Sequence, residues 1–357
     1  MNPLLQVRQH GQQVWLDNLS RTLLNDGHLA RFIAEDGVAG VTTNPAIFYK
    51  AIADGRYYQD DLTALKAQDL SAEARYEALV IPDVQRACDL LLPLHRDSKG
   101  DAGYVSLEVS PALAHDVDGT VAAGLRLKAA VCRPNLLVKV PATAAGIQAI
   151  EQLIAKGVSV NVTLMFSLAH VDAVAGAYLK GLSRFKAAGG DPATVMSVAS
   201  LFLSRVDTLV DGLLEAKGRG SRQPRQKRGR HGQTGLPALP GTLPRAGFCR
   251  AARCRRTAAV HAVGEHRHQE SGLQRPALCR AADRCRDGQY LARRDPGGPA
   301  RPRQDRRHAH SGCRRRTGAL HHLGPHGPGY GHNRENLQLD GLKQFEQAFA
   351  KLLELTA

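Results

Sequence analysis

No stretch of this 357-residue chain stays apolar for the length a bilayer demands. Its opening, MNPLLQVRQHGQQVWLDNLS, sets polar residues where the apolar centre of a secretory leader would stand. The expectation is a soluble, cytoplasmic protein with no membrane partner. Aromatics make up 5% of the residues, with a single Trp, which leaves little with which to stack nucleic-acid bases. The seven cysteines fall into no zinc-holding pattern. Cys88 and Cys132 read as small, reduced core residues, while Cys249, Cys254, Cys279, Cys285 and Cys313 sit among arginines with no repeated ligand spacing. The residues therefore point to no metal.

A second scarcity divides the chain. Residues 218–333 contain no Ile, no Met and one Lys, yet carry 24 Arg against six Asp or Glu, a net +19. The whole chain carries +15, so the rest of it stands at −4. An excess of +15 would by itself suggest nucleic acid, but the first 217 residues do not share it. The organisation expected is an ordered unit over 1–217, an Arg/Gly/Pro-rich segment over 218–333, and a closing amphipathic helix over 334–357.

Within 1–217, runs rich in β-branched residues alternate with helical patterns. The runs are VWLD (14–17), GVAGVTT (37–43), YVSLEVS (104–110), NLLVKVP (135–141), VSVNVTLMF (158–166) and VMSVASLF (195–202). Helical stretches fall at 71–95, 119–131 and 144–157. Strands apolar on both faces, each followed by an amphipathic helix, predict a parallel sheet with helices packed outside. Six such units fit a doubly wound sheet or most of a (β/α)8 TIM barrel. A doubly wound nucleotide binder needs a Gly-rich turn after its first strand, and DNLSRT is not one. Instead, polar groups recur at or near the strand C-termini: Asp17; Thr42, Thr43 and Asn44; Glu108; Lys139; Asn161 and Thr163; Ser200 and Arg205. In a barrel those ends meet at one mouth, where active sites are built. Any one of them has a plainer reading as a cap or a turn; their recurrence on every strand favours a site.

Lys139 interrupts the strand-like run LLVKVPAT. An ammonium there is costly to bury unless it is paired, neutral or chemically used. The plainer reading is an edge-strand lysine that snorkels to water. Enclosed in an apolar barrel, an amine can attack a carbonyl and form an iminium, an electron sink that permits cleavage of a neighbouring C–C bond. Such chemistry needs a base for the hydroxyl on the breaking bond and an acid/base for imine formation and hydrolysis. Asp17 and Glu108 are the candidates, with Thr163 holding a relay water. Thr42, Asn44, Asn161 and Ser200 are candidate substrate contacts. Arg205 serves either as a phosphate clamp or as a surface partner of Asp207.

TTNPAIF, YVSLEVSP, LLVKVPATAAG, NVTLMFS and SVASLFLSRVD, in this order, resemble the transaldolase family. The resemblance covers residues from about 10 to 217 and stops after EAKG. It implies a (β/α)8 barrel of the pentose phosphate pathway that needs no metal or organic cofactor. It also implies transfer of a dihydroxyacetone unit from sedoheptulose 7-phosphate to glyceraldehyde 3-phosphate, or the reverse from fructose 6-phosphate. By motif, Lys139 falls on the Schiff-base lysine and Asp17 on the carboxylate assisting cleavage. Glu108 and Thr163 fall on the acid/base and its water holder; Asn44, Asn161, Ser200 and Arg205 fall on substrate contacts, Arg205 on a phosphate ligand.

The composition of 218–333 is that of a GC-rich coding sequence read out of register. Started one base later, VGEHRHQESG (263–272) permits WASTGTKNP, and the residues from Leu273 permit a stretch containing TVNTLP. Segments 225–244 and 304–316 also decode in that frame into helix-like patterns. WASTGTKNP and TVNTLP resemble the family's seventh and eighth strands. The original frame returns near Arg334, where Leu342, Phe345, Phe349, Leu352 and Leu353 mark one helix face. On this reading the barrel is incomplete, its strands seven and eight out of frame. Two sheet edges are then bare, and the chain is aggregation-prone and weak or inactive. Two rivals remain: a fructose 6-phosphate aldolase-like lyase sharing Lys139, and an RNA-binding module using 218–333. The expected partners are sugar phosphates rather than nucleic acid, with the chain a monomer or a homodimer.

Overall fold

A computed structural model describes residues 2–216 and 330–357. The expectations for 218–329, including the two out-of-frame strands, lie outside the described residues. Six strands appear where alternating apolar runs predicted them: β1 (Val14–Asp17), β2 (Val38–Thr42), β3 (Tyr104–Glu108), β4 (Leu136–Pro141), β5 (Val160–Met165) and β6 (Ser197–Leu201). Helix α1 (Pro3–Gln9) precedes them, and α2 (Arg21–Asn25) and α3 (His28–Asp36) join β1 to β2. Helices α4 (Pro45–Ala53), α5 (Gln59–Lys66) and α6 (Ala72–Asp97) follow β2, while α7 (Val117–Val131), α8 (Ala144–Ala155), α9 (Leu168–Ala187) and α10 (Leu203–Ala216) follow β3 to β6 in turn. The last described helix, α11, spans Tyr330–Thr356 and so begins ahead of Arg334. Side-chain caps set several helix starts: the side chains of Asn44, Ser71, Asp116, Thr143 and Ser167 each accept from a backbone N–H in the first turn. Each such cap is worth about 1 kcal/mol.

All neighbouring strands are parallel, and the sheet order is β1-β2-β3-β4-β5-β6. A doubly wound sheet reverses its order at a switch point; this one runs on without reversal, as a barrel does. The sheet is also curled. Laid flat, β1 and β6 would stand about 24 Å apart at ordinary strand spacing. Yet Trp15 of β1 packs on a cluster of Tyr104, Leu137, Met196 and Val198 that includes β6. The described residues thus form six strand–helix units in the curled order of a (β/α)8 barrel, and among them β1 and β6 each have one strand neighbour.

Alternation along the strands sorts side chains into two compartments. Leu16, Val41, Val105, Leu107, Val138, Val140, Val160 and Val162 face outward into the layer shared with the helices. Inward positions are apolar near the strand starts, with Trp15, Tyr104, Leu137 and Val198, and polar farther along. Gly40 permits the curl at its narrow end, since a Cβ there would meet the Trp15 ring at 2.5 Å.

Helix α11 is bound to this framework. Phe349 meets Tyr76 of α6 edge-on at 5.7 Å, and Tyr76 meets Phe48 of α4 at 5.9 Å; such pairs add about 1 kcal/mol each beyond their burial. Thr356 Oγ1 donates to Ala72 O, at 3.0 Å, at the start of α6. Leu342, Phe345, Phe349 and Leu352 are buried and Leu353 partly so, so the face read from the sequence is the packed face.

Buried polar groups tie the β1 connection to α6. Arg21 Nε donates to Asp83 Oδ1 at 3.0 Å, and the Tyr58 hydroxyl donates to Asp83 Oδ2 at 2.8 Å. Burial pushes both the Asp83 carboxyl and the Tyr58 hydroxyl upward in pKa, opposed at Asp83 by its Tyr58 and Arg21 contacts. The paired groups need one another, because a lone buried charge is strongly destabilising.

Cys132 corrects the sequence reading. It is exposed, at the left-handed C-terminal cap of α7 (φ 50°), and is not a core residue. Cys88 is buried as expected, and burial pushes its thiol up to about 12. Thiolate is the reactive form, so iodoacetamide at pH 8 should label Cys132 and spare Cys88 until the chain is unfolded. Peptide mapping reads the two sites separately, and prompt labelling of native Cys88 would contradict the packing. Among the described residues no helix is long and apolar enough to cross a membrane.

Candidate active site

The polar inward layer gathers around Lys139. Parallel register sets Glu108 of β3 beside Lys139 of β4, and Lys139 beside Asn161 of β5. These three positions form one row across adjacent strands, about 4.8 Å apart. Lys139 is 4% exposed and lies on a central strand, so the edge-strand, snorkelling reading does not hold. Its Nζ donates to Thr43 O at 2.9 Å, stands 3.9 Å from Glu108 Oε2, and lies 5.6 Å from the centre of the Phe345 ring. An ammonium removed from water loses several kcal/mol of solvation. One carbonyl, one carboxylate and one aromatic face are what this site supplies in return.

Asn161 is held from both sides: its Nδ2 donates to Ser106 Oγ at 2.9 Å, and its Oδ1 accepts from Ser200 Oγ at 2.8 Å. Thr43 Oγ1 donates to Ser106 O at 2.8 Å, joining β2 to β3 in the same layer. Above this row opens a small cleft, continuous with solvent. It is lined by Asp17, Thr42, Asn44, Lys139, Thr163, Ser200 and Phe202. Thr42 Oγ1 and Thr163 Oγ1 are buried with no hydrogen-bond partner among the described residues. A buried hydroxyl left so costs about 1–3 kcal/mol, a cost that a polar ligand or a water in the cleft removes. Among the described residues no set of three His, Cys, Asp or Glu side chains gathers as a metal-holding group.

Most of the residues singled out in the sequence come together here. Asp17 lies at the cleft from β1, paired in register with Thr42. Asn44 has both of its readings at once: its Oδ1 caps α4 by accepting from Ile47 N at 3.0 Å, and the residue also lines the cleft. Glu108 sits behind Lys139 rather than on the cleft wall. Asn161 lies below the wall and reaches it through Ser200. Arg205 stands apart, on the first turn of α10, with its guanidinium carbon 5.4 Å from the centre of the Phe202 ring. It is one side chain removed from the cleft lining. Asp207, read as its surface partner, is 4% exposed and so lies in the interior rather than at the surface.

Four residues were missed. Ser106 lies two positions before Glu108 on β3, and strand alternation was the signal that could have found it. Phe202 lines the cleft from the end of β6, where the sequence drew attention only to polar groups. Phe345 and Gln338 come from α11; helix periodicity marks a buried face but not what it is buried against. Chemically, the arrangement offers a buried primary amine, one carboxylate behind it, another across the cleft, and hydroxyls in reach of a bound polyol. That set suits condensation of an amine with a carbonyl and movement of protons about it.

Comparison with known proteins agrees. A family model described as transaldolase/fructose-6-phosphate aldolase matches residues 14–232. The chain is 56% identical over 218 residues to a transaldolase of Thiobacillus denitrificans, covering 61% of each. It is 49% identical over 220 residues to a transaldolase of Neisseria gonorrhoeae, covering 62% of each. It is 42% identical over 217 residues to transaldolase 2 of a Nostoc species, covering 61% of this chain and 57% of that one. The chain thus spans about three fifths of the length of the curated relatives it matches. With a curled run of parallel strands ending in this amine-centred polar layer, and a family match over more than half its length, the chain belongs to the transaldolase/fructose-6-phosphate aldolase family.

Proposed function

We propose that the site performs transaldolase chemistry on sugar phosphates, with Lys139 as the nucleophile. The observation that carries the reading is a buried lysine on a central strand, 3.9 Å from a carboxylate, opening onto a cleft of hydroxyl, amide and carboxylate groups. In its neutral form the amine attacks the ketone carbon of fructose 6-phosphate, and loss of water leaves an iminium. Glu108, with a water held by Thr163, moves the protons of that step and of its reversal. Asp17 takes the proton from the hydroxyl on the breaking C–C bond. Glyceraldehyde 3-phosphate leaves, and the electrons remain as an enamine of dihydroxyacetone on Lys139. An aldehyde acceptor, erythrose 4-phosphate, adds to the enamine, and hydrolysis releases sedoheptulose 7-phosphate. Thr42, Asn44 and Ser200 orient the hydroxyls, Asn161 acting on them through Ser200, and Arg205, beside Phe202, meets the phosphate. The enzyme works in the cytoplasm without metal, organic cofactor or nucleic acid, as a monomer or homodimer.

Arg205 and the residues beyond β6 matter for turnover, and the segment after 217 is the one read here as out of frame. With that segment restored to the in-register sequence, fructose 6-phosphate should be consumed only when erythrose 4-phosphate is supplied. The chain as sequenced should turn over weakly or not at all. Release of glyceraldehyde 3-phosphate without acceptor, at a rate equal to that with it, would reject transfer in favour of a lyase. Resequencing the nucleotides that encode 215–335 tests the frame reading directly.

A further inference from the structure

Helix α11 lays Gln338, Gly341, Leu342 and Phe345 over the ends of β4 and β5, at the i, i+3, i+4, i+7 spacing of one helical face. Gln338 Nε2 donates to two main-chain carbonyls, Ala142 O at 2.8 Å and Leu164 O at 3.0 Å. The second carbonyl belongs to an unusual residue. Leu164 has φ 56°, in the left-handed region, which costs a non-glycine residue about 1–2 kcal/mol. There the β5–β6 register shifts, between Val162 and Met165. The irregularity sends Leu164 into the cluster of Phe166, Phe202, Leu342 and Phe345, while Thr163 keeps its place in the cleft. Gly341 lets the helix come this close, since a Cβ there would stand 2.8 Å from Leu164 Cδ2.

We infer that Gln338 is a positioning residue: by clamping the Leu164 carbonyl it holds the β5 bulge that aims the Thr163 hydroxyl into the cleft beside Lys139. The C-terminal helix thereby sets the geometry of the proton relay, although Gln338 touches neither the amine nor the cleft. The kinetic consequence rests on the transaldolase reading of Thr163 and Lys139; the structural link does not.

Gln338→Met keeps length and removes the donor, while Gln338→Lys restores a donor of sufficient reach. In the full chain, the Thr163 methyl resonance, assigned by its loss in Thr163→Val, should move in Gln338→Met and return toward its original position in Gln338→Lys. With residues 218–333 restored in register, borohydride trapping of fructose 6-phosphate on Lys139 should slow about tenfold in Gln338→Met, since small displacements of a catalytic group carry losses of at least this order, and recover in Gln338→Lys. If Gln338 acts through Thr163, the double variant Gln338→Met/Thr163→Val is no slower than Thr163→Val alone. An unmoved Thr163 resonance in Gln338→Met, or losses that multiply in the double variant, overturns the inference. Absence of any adduct in the otherwise unsubstituted chain with residues 218–333 restored in register defeats the aldol reading instead, and the resonance still decides the link between Gln338 and Thr163.

Discussion

In the chain with residues 218–333 restored to the in-register sequence, Lys139→Ala should abolish the covalent adduct that borohydride fixes with fructose 6-phosphate. The site provides one amine for the purpose, buried at 4% exposure between Glu108 and Phe345. No neighbouring group among the described residues can replace it: Thr43 offers a carbonyl, and Asn161 an amide already committed at both ends. Lys139→Arg makes the test sharper. It keeps a cation beside Glu108, so the fold retains its charge balance, but a guanidinium is a poor nucleophile and stays protonated. Both variants should therefore lose the adduct, while Lys128, which donates to Gly157 O on the far side of the helix layer, should stay unlabelled throughout. Mass spectrometry of the reduced, digested protein locates the mark. Labelling that persists at the same level in Lys139→Ala would reject the Schiff-base assignment.

The largest effect on stability is expected at Gly146, in the first turn of α8. A Cβ there would stand 2.0 Å from Pro141 O, and neither the strand end nor the helix start has a flexible atom to yield. Glycine to alanine inside a helix ordinarily gains about 0.5–1 kcal/mol. Overpacking against fixed backbone costs about 3 kcal/mol, so the clash decides the sign. Gly146→Ala should lose about 2 kcal/mol net, a fall in Tm of about 6 °C for a folded unit of this size. Pro141 ends the strand that carries Lys139, so trapping should weaken with it. Gly176→Ala in α9 is the matched control, since a Cβ there meets nothing within 4 Å, and it should raise Tm slightly. A Tm for Gly146→Ala equal to that of Gly176→Ala would show that the β4–α8 junction is not rigid.

Much of this was readable beforehand. The strand positions follow from runs rich in Val and Leu whose residues are buried on both faces, as in β4 and β5, where every position is buried. The polar strand ends pointed to a mouth because a parallel sheet carries its chemistry at that end. The short helices α2, α3 and α5 were not read, since they are too brief for periodicity to rise above noise. Cys132 was misread because its class is usually buried, whereas a left-handed cap position here leaves it in solvent. Arg205 was identifiable as a charge near the right strand, but which side of Phe202 it occupies depends on how α10 leaves the sheet.

Strand period and side-chain chemistry, both local, determined from sequence alone that Lys139, Glu108, Asn161 and Thr163 would share the inward, C-terminal side of successive parallel strands. Closure was left to the tertiary structure. The curl that brings Asp17 of β1 into one cleft with Ser200 and Phe202 of β6, and the docking of α11 that puts Phe345 over the amine and Gln338 on the β5 bulge, join residues tens to hundreds of positions apart. No periodicity encodes such contacts, because they arise from the shape of a packed whole rather than from the repeat of any one segment.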